Sequence, residues 1–311
     1  HTVSRMESIL SKRHYRSVFY WLVSLILLFS VTLRFLVLPQ FDSELEANIT
    51  KFSAALLDGL VISLIVTVLI GSFVFWFTPE ILKKSVMDVI EPKEIGPLLK
   101  KSVTDTRVWI YKGACGRYTR ATTLPALASA AKHEGLGRDV RITVLNPNND
   151  ELCAEYATYR RSLKSANSGH PWTEGKVKEE VIATIISALR FRHEEPLLRI
   201  ELYLIDHFSA FRLDISDQYV IVTKEDKEAA GLRADSGTYF YDSYKDDVRL
   251  SERQSINVNY LNEVPIGDEL TEEALRSLIL DAVLIDEEKL AHLDLGAIRE
   301  SINSPKDPYS S

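Results

Sequence analysis

Residues 52–77 read FSAALLDGLVISLIVTVLIGSFVFWF, and Asp58 is the only ionisable side chain among them. At about 1.5 Å of rise per residue, a helix of this length exceeds the roughly 30 Å of a bilayer's hydrocarbon core. We therefore expect a transmembrane helix. Small residues recur at every fourth position of this segment, and we call this set the small-residue ridge: Ala55, Gly59, Ser63, Thr67 and Gly71.

The small-residue ridge predicts a packing surface. Helices in lipid gain no hydrophobic free energy by pairing, and small residues allow two helix backbones to approach closely. Two partners remain open at this point. The ridge packs either against the chain's own first helix or against other copies of the chain, in an oligomeric contact or pore seam.

Residues 18–38 form another apolar run, VFYWLVSLILLFSVTLRFLVL, which Arg34 interrupts and Pro39 ends. The run is longer than the apolar core of a signal peptide and no small-residue cleavage site follows it, so it also predicts a transmembrane helix. Arg34 and Asp58 each lie within about two turns of the non-cytoplasmic ends of their helices, and we expect them to pair across the hairpin. Snorkelling of Arg34 to the headgroups is the alternative.

Charge separates a membrane part from an acidic remainder. Residues 1–84 carry 8 Lys and Arg against 6 Asp and Glu, and the remaining chain carries 29 against 38, so the net charges are +2 and −9. An acidic domain argues against binding to DNA or RNA duplexes, which depends on basic surface. Cys115 and Cys153 are too far apart in sequence for a Cys-x-x-Cys site, and we predict neither a metal nor a cofactor.

Cationic residues flank the outer ends of the two apolar runs and largely avoid the connecting loop, which predicts an inner-membrane protein with both termini in the cytoplasm. Met6 is a candidate for the natural start, and the sequence leaves open whether residues 1–5 are native. The predicted segments are a basic cytoplasmic N terminus (1–17), transmembrane helix 1 (18–38), an extracytoplasmic loop (39–51), transmembrane helix 2 (52–77), a connector (78–105), a cytosolic α/β ligand-sensing domain (106–300) and a flexible tail (301–311).

The domain at 106–300 alternates strand and helix patterns in its first half and becomes strand-rich afterwards. This order predicts an α/β domain with a mixed sheet, parallel first and then antiparallel. The connector is expected to be partly helical, with breaks at Pro92 and Pro97. The predicted strands are 107–111, 140–145, 198–205, 211–215, 219–223 and 238–241. One predicted helix begins near residue 123, and three others span 150–162, 176–192 and 269–283.

The loop after the first predicted strand, KGACGRYTR at 112–120, contains more residues suited to binding a ligand than any other loop of the domain. Its glycines allow close backbone approach, the following helix N-terminus attracts anions, arginines can hold phosphates and Tyr118 can stack on a base. An ordinary turn with solvated arginines is the alternative. Asn146, Asn148, Asn149 and Asp150 also suit a cap for the next helix. The residues predicted to bind a ligand are Lys112, Gly113, Gly116, Arg117, Tyr118, Thr119, Arg120, Asn146 and Asn148.

The strand–helix–strand pattern that precedes HFSAFRLD at 207–214 loosely resembles half of a phospholipase D-like domain. His207 and Asp214 match the His and Asp of that family's H-x-K-x4-D motif, but Ser209 stands where the Lys belongs. The resemblance implies that Arg212 supplies the missing charge if it folds back. Because the family needs two such segments and this chain has one, we predict no catalytic residues.

The whole layout resembles the two-transmembrane effectors of bacterial cyclic-nucleotide antiphage defence. A short basic N terminus, a two-helix hairpin and a cytosolic α/β domain carry this resemblance. It implies that the cytosolic domain binds a cyclic di- or oligonucleotide, which controls homo-oligomerisation of the hairpins and disruption of the inner membrane. Two alternatives remain: a membrane-tethered adaptor for a protein partner, and a degenerate phospholipase D-like phosphodiesterase.

Overall fold

The computed structural model describes residues 13–37, 40, 47–77, 86–164, 171–226, 228–265, 269–283 and 285–308. The chain divides into two compact units, His1–Lys84 and Ser85–Ser311. The first part of the predicted N terminus, most of the loop between the apolar runs, the start of the connector and the last three residues lie outside the described residues.

The first unit is a pair of long helices. Helix α1 spans Arg13–Thr32 and continues into a π-helical turn at Leu33–Val37, and α2 spans Ala47–Phe77. The stretches Tyr20–Val37 and Lys51–Phe73 are long and apolar enough to cross a membrane. Large apolar side chains on both helices are exposed, so neither helix is buried within this chain.

Two polar contacts connect the helices of this hairpin. Arg34 Nε donates to Asp58 Oδ1 at 3.0 Å, so the expected pairing is present. The hydroxyls of Tyr20 and Ser72 lie 3.1 Å apart. Because Tyr20 and Arg34 lie near opposite ends of the first apolar run, these contacts fix the register of the two helices along their length.

The small-residue ridge is not the surface that faces α1. Four of its five members are exposed, and Gly71 is half-buried. A Cβ atom added at Gly59 or Gly71 would have no other atom within 4 Å. The sequence left two packing partners open for the ridge, the chain's own first helix and other copies of the chain. Packing against the first helix does not require these small side chains.

The second unit contains an eight-stranded mixed sheet, as predicted, in the order β1-β7-β6-β5-β2-β3-β4-β8. Strands β2, β3 and β4 pair in parallel, and every other pairing among the described strands is antiparallel. The strands are β1 Asp88–Ile90, β2 Val108–Lys112, β3 Arg138–Leu145, β4 Leu198–Ile205, β5 Phe211–Ile215, β6 Tyr219–Lys224, β7 Gly231–Asp235 and β8 Ile256–Asn257.

The helices cover the two faces of the sheet unequally. One face, the thick face, buries Trp109 and Tyr111 of β2 beneath most of the helices; the other, the thin face, buries Ile110 beneath α7. The helices of this unit are α3 Pro92–Thr104, α4 Leu124–Glu134, α5 Asp150–Ser162, α6 Glu174–Glu194, α7 Tyr239–Arg253, α8 Glu272–Val283, α9 Glu287–Leu290 and α10 Leu295–Asn303.

Three sequence predictions about these elements were wrong. Pro92 and Pro97 do not break the connector: Pro92 begins α3, where its missing N–H costs little, and the buried face of α3 offsets the hydrogen bond lost at Pro97. The strand predicted at 238–241 is the start of α7, because the Thr238 hydroxyl accepts from the Tyr241 N–H as an N-cap. Helix α10 also extends to Asn303, inside the segment predicted to be a tail.

Candidate functional site

The carboxyl ends of β2, β3 and β4 meet at one edge of the sheet because these strands run in parallel. In open α/β sheets, ligands bind outside this edge. The segments that leave it are residues 113–118, which end in the first helical residues, and the loops 146–149 and 206–210. They contain most of the ligand-binding residues predicted from sequence, so their surroundings decide which can meet a ligand.

Lys112 does not join the arginines of its own loop. Side chains alternate along a strand, and Lys112 points to the thin face, where its Nζ lies 2.8 Å from Asp247 Oδ2 on α7. Arg120 lies on the thick face against α6. The predicted single site of Lys112, Arg117 and Arg120 is therefore split by the sheet.

The two glycines of the loop satisfy internal packing. Gly116 has a φ of +68°, its N–H donates to the Tyr111 hydroxyl at 3.1 Å, and an added Cβ would lie 2.7 Å from Thr184 Cγ2. An added Cβ at Gly113 would lie 2.3 Å from the Tyr111 hydroxyl oxygen. Both positions thus require glycine for the fold itself, whether or not a ligand approaches.

Arg120 is held inside the protein. Its guanidinium lies 2.6 Å from Glu180 Oε2 and also donates to the Glu180 carbonyl at 2.9 Å and the Thr184 hydroxyl at 3.1 Å. Burial raises the pKa of the Glu180 carboxyl, but the charges of Arg120, Arg117 and Lys176 and the Arg120 hydrogen bond outweigh burial and lower that pKa. We therefore correct the expected phosphate contact of Arg120 to a structural ion pair.

The remaining predicted residues are also largely internal. Tyr118 and Thr119 are buried, within a helical stretch that passes through a π-turn at Thr119–Thr123 before α4. Asn146 donates to Asp206 Oδ1 at 3.0 Å, and Asn148 donates to the Val283 carbonyl at 3.0 Å. These asparagines thus join neighbouring loops and helices, while Asn149 caps α5.

Arg117 is the arginine of the loop that remains available. Its side chain is 33% exposed, and its Nε lies 3.8 Å from Glu180 Oε2, beyond hydrogen-bonding distance. Its guanidinium carbon lies 5.7 Å from the centre of the Trp172 ring. Arg117 can therefore reorient without breaking a hydrogen bond to that carboxylate.

A second arginine contacts the same tryptophan. The Arg160 guanidinium lies 4.8 Å from the Trp172 ring centre, and it donates to the Glu225 carbonyl and faces the Glu225 carboxylate at 3.7 Å. Arg160 does not lie on a solvated helix face, because this side of α5 packs against Trp172. Arg117, Arg160 and Trp172 thus form one contact group.

Aromatic rings extend this group towards the loop after β4. Phe208 lies 5.7 Å from Tyr159 and 5.5 Å from Tyr156, whose ring in turn lies 6.4 Å from Trp172. Burial raises the pKa of the Tyr156 hydroxyl well above its ordinary value, so this group stays protonated. We name Arg117, Arg160, Trp172, Tyr159 and Phe208 the Arg–aromatic cluster.

The Arg–aromatic cluster combines two kinds of side chain, each suited to a different part of a ligand. Guanidinium groups bind phosphates through paired hydrogen bonds, and indole and phenyl rings stack on planar bases. Glu225 is the nearby carboxylate that an incoming anion would replace beside Arg160. Sequence reasoning missed Trp172 because this residue lies outside any regular element. The available signal was the helical spacing of Tyr156, Tyr159 and Arg160, which places them on one face of α5.

The phospholipase D-like residues do not form a catalytic pair. His207 is exposed in the loop after β4, whereas Asp214 is buried on β5 and lies 2.6 Å from Arg212 Nε. Arg212 also lies over the rings of Tyr111 and Tyr118, at 5.5 and 5.1 Å. Arg212 therefore neutralises Asp214 inside the protein and does not substitute for the missing lysine.

The described part of the chain contains no cluster of three or more His, Cys, Asp or Glu side chains suited to a metal. Cys115 and Cys153 are buried. Burial raises the pKa of the Cys115 thiol well above its ordinary value and that of Cys153 to about 12. Both therefore remain thiols at neutral pH, which makes them poor nucleophiles and poor metal ligands.

Comparison with known proteins gives no family. No protein-family model and no curated protein matches the sequence. A solved structure of TrmBL2, an archaeal chromatin protein with a novel mode of DNA binding, aligns over 68% of each chain with 10% sequence identity and a TM-score of 0.32. A likeness this low supports no conclusion about fold or function.

Proposed function

We propose that this protein is a bacterial inner-membrane effector whose globular unit senses a cyclic di- or oligonucleotide, and that the ligand controls assembly of the hairpins in antiphage defence. The observation that carries the proposal is the contact of Trp172 with the guanidinium groups of both Arg117 and Arg160 at the carboxyl edge of the parallel strands. This arrangement suits a ligand that has both phosphates and bases.

In this proposal, Arg117 and Arg160 hold phosphates while Trp172 stacks on a base. Stacking of a base on an aromatic side chain contributes about 1–3 kcal/mol. Arg117 is the mobile part of the site, because its carboxylate contact is long and its side chain is partly exposed. Arg160 gives up its contact with the Glu225 carboxylate when the ligand's anionic group arrives.

The hairpin supports the membrane part of the proposal. Apolar side chains such as Trp21, Phe29 and Leu69 are exposed along helices of membrane-spanning length, and burying them in lipid is favourable. Four of the five residues of the small-residue ridge are also exposed, which favours contacts between copies over packing within one hairpin. Ligand binding biases the chain between unassembled and assembled states.

The test is a thermal-shift screen of the full chain in nanodiscs against cyclic di- and trinucleotides. A ligand that binds the folded state raises the melting temperature by mass action. Arg117→Ala should remove the shift, because it deletes the mobile phosphate ligand without breaking the Arg120–Glu180 pair. The matched control is Arg199→Ala, an exposed arginine at the other end of β4, paired with Asp139, which should leave the shift intact.

Three outcomes would contradict the proposal in different ways. No shift with any cyclic nucleotide would favour the adaptor alternative. A shift that survives Arg117→Ala would mean that binding occurs outside the Arg–aromatic cluster. Hydrolysis of the nucleotide by the purified protein, abolished by His207→Ala, would favour the phosphodiesterase alternative.

A further inference from the structure

A cleft of about 410 Å³ opens on the thin face of the sheet, away from the Arg–aromatic cluster. It lies between the end of β2, the start of β5 and the first turns of α7. This location separates it from the proposed nucleotide site by the thickness of the sheet. Its principal lining residues are Lys112, Phe211, Tyr239, Ser243, Tyr244 and Asp247.

The floor of the cleft contains a buried cation with spare donors. The Lys112 side chain is 9% exposed, and the hydrogen bond that the structure shows for its ammonium goes to Asp247 Oδ2 at 2.8 Å. An ammonium has three N–H donors, so two remain for a further acceptor. A second acceptor in the cleft would form a charge-assisted hydrogen bond with these donors, and Lys112 is therefore suited to receive an anion.

The partner of Lys112 is easily displaced. The Asp247 side chain is 56% exposed, so it can turn to solvent at little cost, whereas Lys112 cannot leave the floor. An ion pair with an exposed carboxylate contributes little free energy, because water competes for the carboxylate oxygens. Asp247 thus occupies the position that a ligand's anionic group would take.

The walls of the cleft consist of aromatic side chains that are partly exposed to solvent. Phe211 and Tyr239 are exposed, and the Tyr239 and Phe240 rings meet edge to face at 5.6 Å. Exposed rings beside a concave surface with a polar floor are typical of small-molecule sites. A planar ring can lie against these side chains while its substituent reaches Lys112.

We propose that this cleft is a second ligand site, specific for a small planar aromatic molecule that bears an anionic group. The anionic group displaces Asp247 from Lys112, and the ring packs against Tyr239 and Phe211. The proposal does not depend on the Arg–aromatic cluster, because none of that cluster's side chains lines the cleft.

Isothermal titration of the full chain in detergent micelles with phenyl phosphate tests this proposal. Inorganic phosphate and phenol, titrated separately, carry the anion without the ring and the ring without the anion. We expect phenyl phosphate to bind at least tenfold more tightly than either fragment. Equal binding of phosphate and phenyl phosphate, or no binding of phenyl phosphate, would overturn the proposal.

Substitutions identify the binding residues. Lys112→Met should weaken phenyl phosphate binding by at least tenfold, since it removes a hydrogen bond to a charged group. Asp247→Asn should tighten binding several-fold, because it removes the competing internal anion. Asp246→Asn is the matched control: it makes the same charge change at a neighbouring exposed carboxylate outside the cleft and should leave affinity unchanged.

Two further variants separate this site from folding effects and from the first site. Tyr239→Ser, at an exposed ring, should weaken phenyl phosphate binding even if Lys112→Met fails to fold. Arg117→Ala should not change it. Weaker or unchanged binding in Asp247→Asn would mean that the Lys112–Asp247 pair is structural, and loss of binding in Arg117→Ala would place the probe at the Arg–aromatic cluster.

Discussion

The thick and thin faces of the sheet each bury a cation, but they provide for it differently. On the thick face, Arg120 has the carboxylate and carbonyl of Glu180 and the hydroxyl of Thr184 as partners. On the thin face, the partner that the described residues provide for Lys112 is the half-exposed Asp247. A cation with several buried partners stabilises a fold, whereas a cation with one half-exposed partner beside an open cleft is available for binding. Four of the predictions below test this difference, and one tests the hairpin.

The largest expected effect is on the thick face. Arg120→Ala leaves Glu180 buried without its main partner, and it should lower the free energy of unfolding by about 3–5 kcal/mol. Denaturation of the full chain in nanodiscs measures this loss. Replacing both partners, Arg120→Met with Glu180→Leu, should restore most of the stability. A loss below about 1 kcal/mol would show that the partners of Arg120 stabilise the fold no more than the partner of Lys112 does.

Gly116→Ala should cost about 2–3 kcal/mol, because it combines left-handed backbone strain with a clash against Thr184. Gly135→Ala is the matched control. Its φ is +67°, but an added Cβ would have no atom within 4 Å, so it should cost about 1 kcal/mol. Equal losses in the two variants would show that the thick face tolerates an added methyl group at Gly116.

The hairpin provides a test outside the sheet. Gly59→Leu should weaken self-association in detergent by about tenfold while leaving the hairpin itself unchanged, because the position is exposed and borders open space. Ile65→Leu, an isomeric change in the groove between α1 and α2, is the control. Sedimentation equilibrium measures the change. Equal association in wild type and Gly59→Leu would exclude the small-residue ridge as the contact.

Acid should affect the thick face through Glu180. The pKa of this carboxyl is lower in the folded protein than in the unfolded chain, so its contribution to stability is present above the unfolded pKa of about 4.3. That contribution is lost as the pH falls through the folded pKa. Melting temperatures measured below pH 5 should therefore fall more steeply for wild type than for Glu180→Gln. Parallel curves would contradict the low pKa.

The smallest expected effect is on the thin face. Asp247→Asn should change the free energy of unfolding by at most about 1 kcal/mol, because the carboxylate is half exposed and water in the cleft can solvate the Lys112 ammonium. The denaturation experiment used for Arg120→Ala applies here. A loss as large as that of Arg120→Ala would remove the difference between the two faces.

Local patterns predicted much of the architecture. The two apolar runs, the parallel strands and the Asn149 cap follow from residue spacing within short windows, and the structure contains these elements. Strand β7 was missed because GLRAD has few of the β-branched residues that favour strands. The strands near the β1 edge of the sheet were therefore less predictable from sequence than the central strands.

The candidate site was predicted less well, because its contacts join distant parts of the chain. Glu180 lies 60 residues after Arg120, and nothing near either residue signals that they pair. Lys112 and Arg117 are close in sequence but lie on opposite faces, since the strand pleat decides the direction of Lys112. Trp172 shows no periodicity at all. Sequence could identify the basic loop, but not which arginine remains available.

Because both thiols are buried, the folded protein should not react with maleimide reagents under native conditions. Cys115 and Cys153 are protonated and shielded, so labelling of the folded wild type should be negligible. A single cysteine introduced at an exposed position such as Ser63 or Thr67 would then be the sole reactive group. Disulfide trapping or spin labelling at that position can report the distance between neighbouring hairpins directly, without prior removal of the native cysteines.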